Sequence, residues 1–342
     1  MTEDLGQIAK SLVAPSKGIL AADESTGTIE KRLSSINVPS TEDNRRAYRE
    51  LLFSTAKAAP FIGGVILYDE TLRQSAADGT PFPELLANQG IIPGIKVDQG
   101  AKALAGAGGE KITEGLDGLR ERLAEYHALG ARFTKWRAVI TIGDEIPSRY
   151  CIDTNAHALA RYAALSQEAG LVPIVEPEVL MDGAHDIERC RDVTEATLSQ
   201  VFRALFDQRV VLEHMLLKPN MVIAGSACAP PGSIGDVADA TVVSLVRTVP
   251  GAVPGVVFLS GGQSEEQATA HLNAMNKRHP DLPWQLSFSY GRALQASVLT
   301  TWGGDPGKIA AAQAVYEHRA RLNGAARSGT YVASMESEVA DA

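Results

Sequence analysis

Lys218 stands at the end of an apolar run, where an amine is most apt to become a nucleophile. In VVLEHMLLKPNMV, Val210 to Val222, the residues Met215, Leu216 and Leu217 lead to Lys218, and Pro219 follows with no N–H to extend a strand. An ammonium group drawn into apolar surroundings loses hydration, and the neutral amine it yields can attack a carbonyl. Taken alone, such a lysine is a strand-end residue that snorkels to water. Other β-rich runs, however, also finish on ionisable groups. Gly18 to Ala22 stops at Asp23, Gly94 to Val97 carries Lys96 and leads to Asp98, Phe133 to Ile140 carries Lys135 and Arg137, and Val172 to Glu176 is followed by Glu178. Alternating residues of a strand share a face, so Lys135 and Arg137 project together, as do Glu176 and Glu178 if the strand runs through Pro177. An amine among cations, with carboxylates to move protons, meets the needs of Schiff-base chemistry at a carbonyl.

Two further runs end on groups suited to an anion. LSGGQS supplies Ser260, Gly261 and Gly262, and SFSYGRALQ supplies Ser289, Gly291 and Arg292. Glycine lets backbone amides approach a phosphate closely, and arginine adds a fork of charged donors near a helix start. The glycine-rich GAGGEK, Gly106 to Lys111, lacks the GK[ST] ending of a phosphate loop and reads as a surface loop. None of the 7 histidines forms an HxH or HExxH spacing, so no metal site is expected.

These groups must be held by a scaffold that gathers strand ends. Eight β-rich runs recur: Gly18 to Ala22, Gly64 to Tyr68, Gly94 to Val97, Phe133 to Ile140, Val172 to Glu176, His214 to Lys218, Val256 to Ser260 and Leu286 to Ser289. Helical periodicity fills the intervals at Thr41 to Ala58, Leu116 to Leu129, Asn155 to Ala169, Asp186 to Phe206, Asp236 to Val249 and Glu265 to Lys277. The alternation predicts an α/β fold, a single (β/α)8 TIM barrel over residues 1–323, whose active site lies at the C-terminal ends of the strands. The segment 324–342, small and polar, is expected to be a flexible C-terminal tail. With 45% hydrophobic residues and no apolar run near 18 residues, the 342-residue chain reads as a soluble protein. Two acids in its first four residues and the lack of a signal-peptide pattern place it in the cytoplasm. Its net charge of -9 argues against nucleic acid as a partner, and Cys151, Cys190 and Cys228 are too dispersed for a disulfide framework.

The motifs KGILAADESTGTIEKRL, GIKVDQG, FTKWRAVI, VPIVEPEVL, LLKPNMV, FLSGGQSEE and FSYGRALQAS together resemble those of the class I fructose-bisphosphate aldolases, from about Ile8 to Asn323. The resemblance implies a lyase of glycolysis and gluconeogenesis, usually a homotetramer. It would cleave D-fructose 1,6-bisphosphate reversibly to dihydroxyacetone phosphate and D-glyceraldehyde 3-phosphate, with no metal or cofactor. It implies that Lys218 forms the imine, Glu176 dehydrates the carbinolamine, and Asp23 is the base near the C4 hydroxyl. Lys135 and Glu178 would hold and tune Glu176. Ser260, Gly261, Ser289, Gly291 and Arg292 would take the C1-phosphate, with Lys96, Ser25 and Thr28 around the C6-phosphate and Arg32 and Arg137 near the substrate. Many members end in a catalytic tyrosine, whereas this chain ends in Ala342, and Gln99 stands where many have lysine. A sugar-phosphate-responsive scaffold is an alternative of another class, against which the joint retention of Lys218, Glu176 and Asp23 argues. Another Schiff-base enzyme, such as a transaldolase-like transferase or a keto-acid aldolase, explains the lysine but not two phosphate sites, one at Arg292 and one near Lys96.

Overall fold

The computed structural model describes residues 4–337, and eight parallel strands close into a barrel. In chain order they are β1 Gly18–Ala22, β2 Ile62–Leu67, β3 Ile92–Lys96, β4 Phe133–Ile140, β5 Val172–Val179, β6 Leu216–Leu217, β7 Gly255–Phe258 and β8 Gln285–Tyr290. Each pairs with its neighbours in sequence, and β1 meets β8 to close the ring. The expected (β/α)8 fold is therefore the observed one. Val, Ile, Leu and Phe dominate the runs because strands of a parallel barrel are covered on both faces.

β6 is far shorter than the run His214 to Lys218. Leu212–His214 forms a 3-10 turn, and the ladder ends when Lys218 donates its N–H to the Val175 carbonyl at 2.8 Å. Pro219 has no N–H to continue it. β5, in contrast, runs straight through Pro177 to Val179, which puts both Glu176 and Glu178 on the strand.

The six expected helices appear as Glu42–Phe53, Leu119–Ala128, Arg149–Glu168, Ile187–Asp207, Ile234–Thr248 and Glu265–Arg278. Sequence patterning missed the helices Leu5–Leu12, Thr26–Ser34, Asp69–Leu72, Phe82–Ala87 and Ile309–Arg327, while Arg292–Trp302 begins at the helix start expected beside Arg292. Leu5–Leu12 closes the N-terminal end of the barrel. Its residues Ala9 and Leu12, with Val13 behind them, pack on Ile19, Ile66, Phe133, Ile174, Leu216 and Val257, a dry plug below the polar mouth. Gly94 makes room for that plug, since a Cβ there would lie 2.3 Å from the Phe133 ring.

The expected tail boundary at Gly324 does not hold. Helix Ile309–Arg327 runs through it, because Gly324 is small enough to pack where a Cβ would lie 2.8 Å from Phe61 and from the Ser16 carbonyl. Beyond the helix, Tyr331 is buried, its N–H donates to Asn273 at 3.0 Å, and its hydroxyl donates to Glu336 at 2.9 Å. Glu336 in turn pairs with the buried guanidinium of Arg319. The part of the expected tail from 338 to 342 lies outside the described residues.

Candidate active site

The strand ends surround an open cavity of about 1050 Å³ at the C-terminal face of the barrel. Nine lysines and arginines line it against seven carboxylates, so the mouth is locally cationic in a chain of net charge -9. Every candidate residue except Gly262 lines this cavity.

Buried Lys135, Glu176 and Lys218, with the largely covered Asp23, form a line of alternating charge across the cavity floor. Asp23 Oδ2 lies 2.7 Å from Lys135 Nζ, Lys135 Nζ lies 3.2 Å from Glu176 Oε2, and Glu176 Oε1 lies 3.2 Å from Lys218 Nζ. Asp23 follows β1, Lys135 and Glu176 lie within β4 and β5, and Lys218 follows β6, while the β4–β5 register sets Arg137 opposite Glu176. Burial pushes the Asp23 carboxyl up, but the ammonium groups of Lys135 and Lys218 outweigh it and hold Asp23 below the usual carboxylate range. Glu176 behaves likewise: burial raises it, and Lys135, Lys218 and Arg137 bring it below its ordinary value. Burial alone would lower the Lys135 ammonium, yet Asp23 and Glu176 keep it well above the normal lysine value. Lys135 is thus a fixed cation between two acids.

Glu178 pairs with Arg137, one of the cations that lower Glu176, and the Asp23 charge pushes Glu176 up. The pair keeps Arg137, half exposed, at the rim of the mouth.

On one side of the cavity lie Ser260, Gly261, Ser289, Gly291 and Arg292. Gly291 is the N-cap of helix Arg292–Trp302, which presents free backbone N–H groups and the positive end of the helix dipole to the cavity. Ser289 Oγ is buried with no hydrogen-bond partner among the described residues, a donor available to an anion. Arg292 donates to the Gly261 carbonyl and so links the two loops. Gly262 does not join them. Its N–H points away from the cavity and donates to Met181 Sδ at 2.9 Å.

Opposite, Lys96 is presented by Asp98, whose carboxylate Oδ1 and carbonyl accept from Nζ at 2.5 and 2.8 Å. Asp98 also accepts the Arg137 N–H at 3.2 Å, tying β3 to β4. Ser25 caps the helix Thr26–Ser34 by position, with its hydroxyl 3.2 Å from that of Thr28, and Arg32 from the same helix pairs with Glu24. Glu24 is buried with Arg49 at 2.5 Å and Gln295 at 3.2 Å. Sequence reasoning missed the Glu24, Arg49 and Gln295 group, since nothing in AADES announces partners on two distant helices. Asp98 carried a signal, its place after Lys96 at a strand end, without a role. Among the described residues no cluster of His, Cys, Asp and Glu side chains is arranged to hold a metal ion.

Known relatives match this chain in sequence and fold. The family described as fructose-bisphosphate aldolase class-I matches residues 4–342. The chain is 59% identical over 330 residues to "Probable fructose-bisphosphate aldolase class 1" of Xanthomonas campestris, covering 96% of this chain and 98% of that one. It is 57% identical over 317 residues to "Fructose-bisphosphate aldolase 6, cytosolic" of Arabidopsis thaliana, covering 93% and 88% respectively. A solved fructose-bisphosphate aldolase from Plasmodium falciparum, in a ternary complex with TRAP and a small-molecule inhibitor, is 52% identical. The two superpose with a TM-score of 0.95 over 97% of this chain and 96% of that one. The chain belongs to the class I fructose-bisphosphate aldolase family.

Proposed function

We propose that Lys218 is the amine through which this chain performs the aldol cleavage of its family, with Glu176 and Asp23 moving the protons. The single observation that carries this reading is the line of contacts Asp23, Lys135, Glu176, Lys218 across the floor of the cavity. Lys218 Nζ adds to the C2 ketone of the open-chain sugar. Glu176, ionised and 3.2 Å away, takes the proton that Lys218 must lose to add, then returns it to the carbinolamine hydroxyl, which leaves as water and yields the protonated imine. Asp23, held ionised by Lys135, takes the proton of the C4 hydroxyl. The C3–C4 bond breaks, its electron pair enters the imine as an enamine, and D-glyceraldehyde 3-phosphate departs. Protonation of the enamine at C3 and hydrolysis of the imine release dihydroxyacetone phosphate and restore Lys218.

Ser260, Gly261, Ser289, Gly291 and Arg292 receive the C1-phosphate in this reading, Lys96, Ser25 and Thr28 face the C6-phosphate, and Arg32 and Arg137 stand near the substrate. No cofactor enters the scheme. Among the described residues no helix is long and apolar enough to cross a membrane, and the Arabidopsis relative is called cytosolic. The relative's description accords with a cytoplasmic site of action, and the family resemblance supports assembly as a homotetramer.

Borohydride reduction in the presence of dihydroxyacetone phosphate, followed by peptide mass analysis, tests the central step. The reduced adduct is expected on Lys218, and Lys218→Ala should abolish it. An adduct on Lys96 or Lys135 would overturn the assignment.

A further inference from the structure

The turn Ser260–Gln263 is held in place by side chains from outside it. Arg292 binds the Gly261 carbonyl, and the Gln263 amide bonds back to the Ser260 carbonyl at 3.1 Å. Gln263 is itself fixed by the buried ring of His271, whose Nδ1 lies 2.5 Å from Gln263 Oε1. Gln263 also reaches Met221 Sδ at 3.6 Å, and a further hold is Met181. Its sulfur accepts the Gly262 N–H at 2.9 Å and lies where a Cβ on Gly262 would meet it at 2.8 Å and one on Gly261 at 3.5 Å. Met181 belongs to the loop that follows β5, and its own carbonyl accepts from the Ser226 N–H at 2.7 Å, so the sulfur is anchored independently of the turn it touches.

A turn with Gly261 at φ +55 has one side facing the cavity and one facing away. The Met181 sulfur occupies the outer side. From this geometry we infer that Met181 is a positioning residue for the C1-phosphate turn: by taking the Gly262 N–H outward and filling the space behind both glycines, it turns Ser260 and Gly261 toward the cavity. The inference rests on reading this turn as the phosphate site. A thioether is a weak acceptor, so the hydrogen bond orients more than it stabilises. Its loss should be read in phosphate affinity and not in the chemistry of Lys218.

Met181→Leu keeps the volume and removes the acceptor, and a volume-conserving change of this kind leaves the fold intact. We expect KM for fructose 1,6-bisphosphate to rise about three- to fivefold with kcat little changed, as befits one weak hydrogen bond. Borohydride trapping of unphosphorylated dihydroxyacetone should be unaffected. Met181→Gln, which offers a carbonyl oxygen to the same N–H, should bring KM back toward the parent value. An unchanged KM in Met181→Leu, an equal loss for dihydroxyacetone, or no recovery in Met181→Gln each overturns the inference. Arg292→Ala run alongside separates the two readings. If it weakens dihydroxyacetone phosphate and dihydroxyacetone alike, the phosphate site itself is misplaced. If it discriminates between them while Met181→Leu does not, only the role of Met181 fails.

Discussion

Lys135 sits between Asp23 and Glu176, and its charge decides theirs. Removing it in Lys135→Met leaves two buried carboxylates with less opposing charge, so both should take up protons more readily. In the proposed mechanism Asp23 must be ionised to accept the C4 hydroxyl proton, so the acidic limb of kcat/KM should move to higher pH by about one unit or more. A pH–rate profile checks this, and an unchanged acidic limb would refute it. The same charges bear on stability. Asp23 and Glu176 have folded values below their unfolded ones, so their contribution is fully present above the unfolded carboxylate range and is lost as the pH falls through the folded values. At the other end of the cavity, Lys96→Ala should harm cleavage of fructose 1,6-bisphosphate more than of fructose 1-phosphate, since only the former carries a C6-phosphate. Equal losses for the two sugars would show that Lys96 does not read that group. These residues were legible in the sequence because a charge on an apolar strand run is conspicuous. Met181 was not, for its partner Gly262 stands 81 positions away and a methionine after a strand carries no signal.

Among the elements, helix Glu265–Arg278 and helix Ile309–Arg327 share the segment that follows the second of them. Arg319 donates to Thr269 at 2.8 Å on the first helix and pairs with Glu336, which also holds the hydroxyl of Tyr331. Tyr331 does not line the active-site cavity. Tyr331→Phe should therefore leave turnover on fructose 1,6-bisphosphate within about twofold, or some 0.4 kcal/mol of transition-state stabilisation. A large loss of turnover with borohydride trapping intact would restore a catalytic tyrosine. Glu336→Ala strands a buried guanidinium, and we expect it to lower unfolding free energy by about 1 to 3 kcal/mol, less than for a wholly buried pair because Glu336 is partly exposed. A urea midpoint equal to the parent's would refute that. Deleting Ser328 to Ala342 removes the same contacts, so the expense falls on stability before chemistry. The eight strand runs and six of the helices were readable from periodicity. The packing of residues 324–337 was not, because small residues that permit close approach look the same on paper as small residues with nothing to hold them.

At the scale of the whole molecule, the barrel divides into a polar mouth and an apolar base. The base depends on glycines that admit large side chains, so Gly94→Ala should force the fully buried Phe133 from its position. Overpacking of this kind costs about 1 to 3 kcal/mol, and thermal unfolding should report it while the folded fraction keeps its activity. An unshifted Tm would contradict the packing described for the base. The ring is closed by β1 against β8, and its ends stay together afterward: Arg327 reaches the Val13 carbonyl at 3.3 Å, and the hydroxyls of Ser16 and Ser328 lie 3.4 Å apart. A ribosome makes such a molecule in the wrong order for its own safety. Gly18–Ala22 emerges first and soon finds β2, but its other edge has no partner until Gln285–Tyr290 is synthesised. Any sheet that forms before that strand is made has an unpaired border, the form of a β protein most prone to join a neighbour, and only the last strand converts that border into a wall.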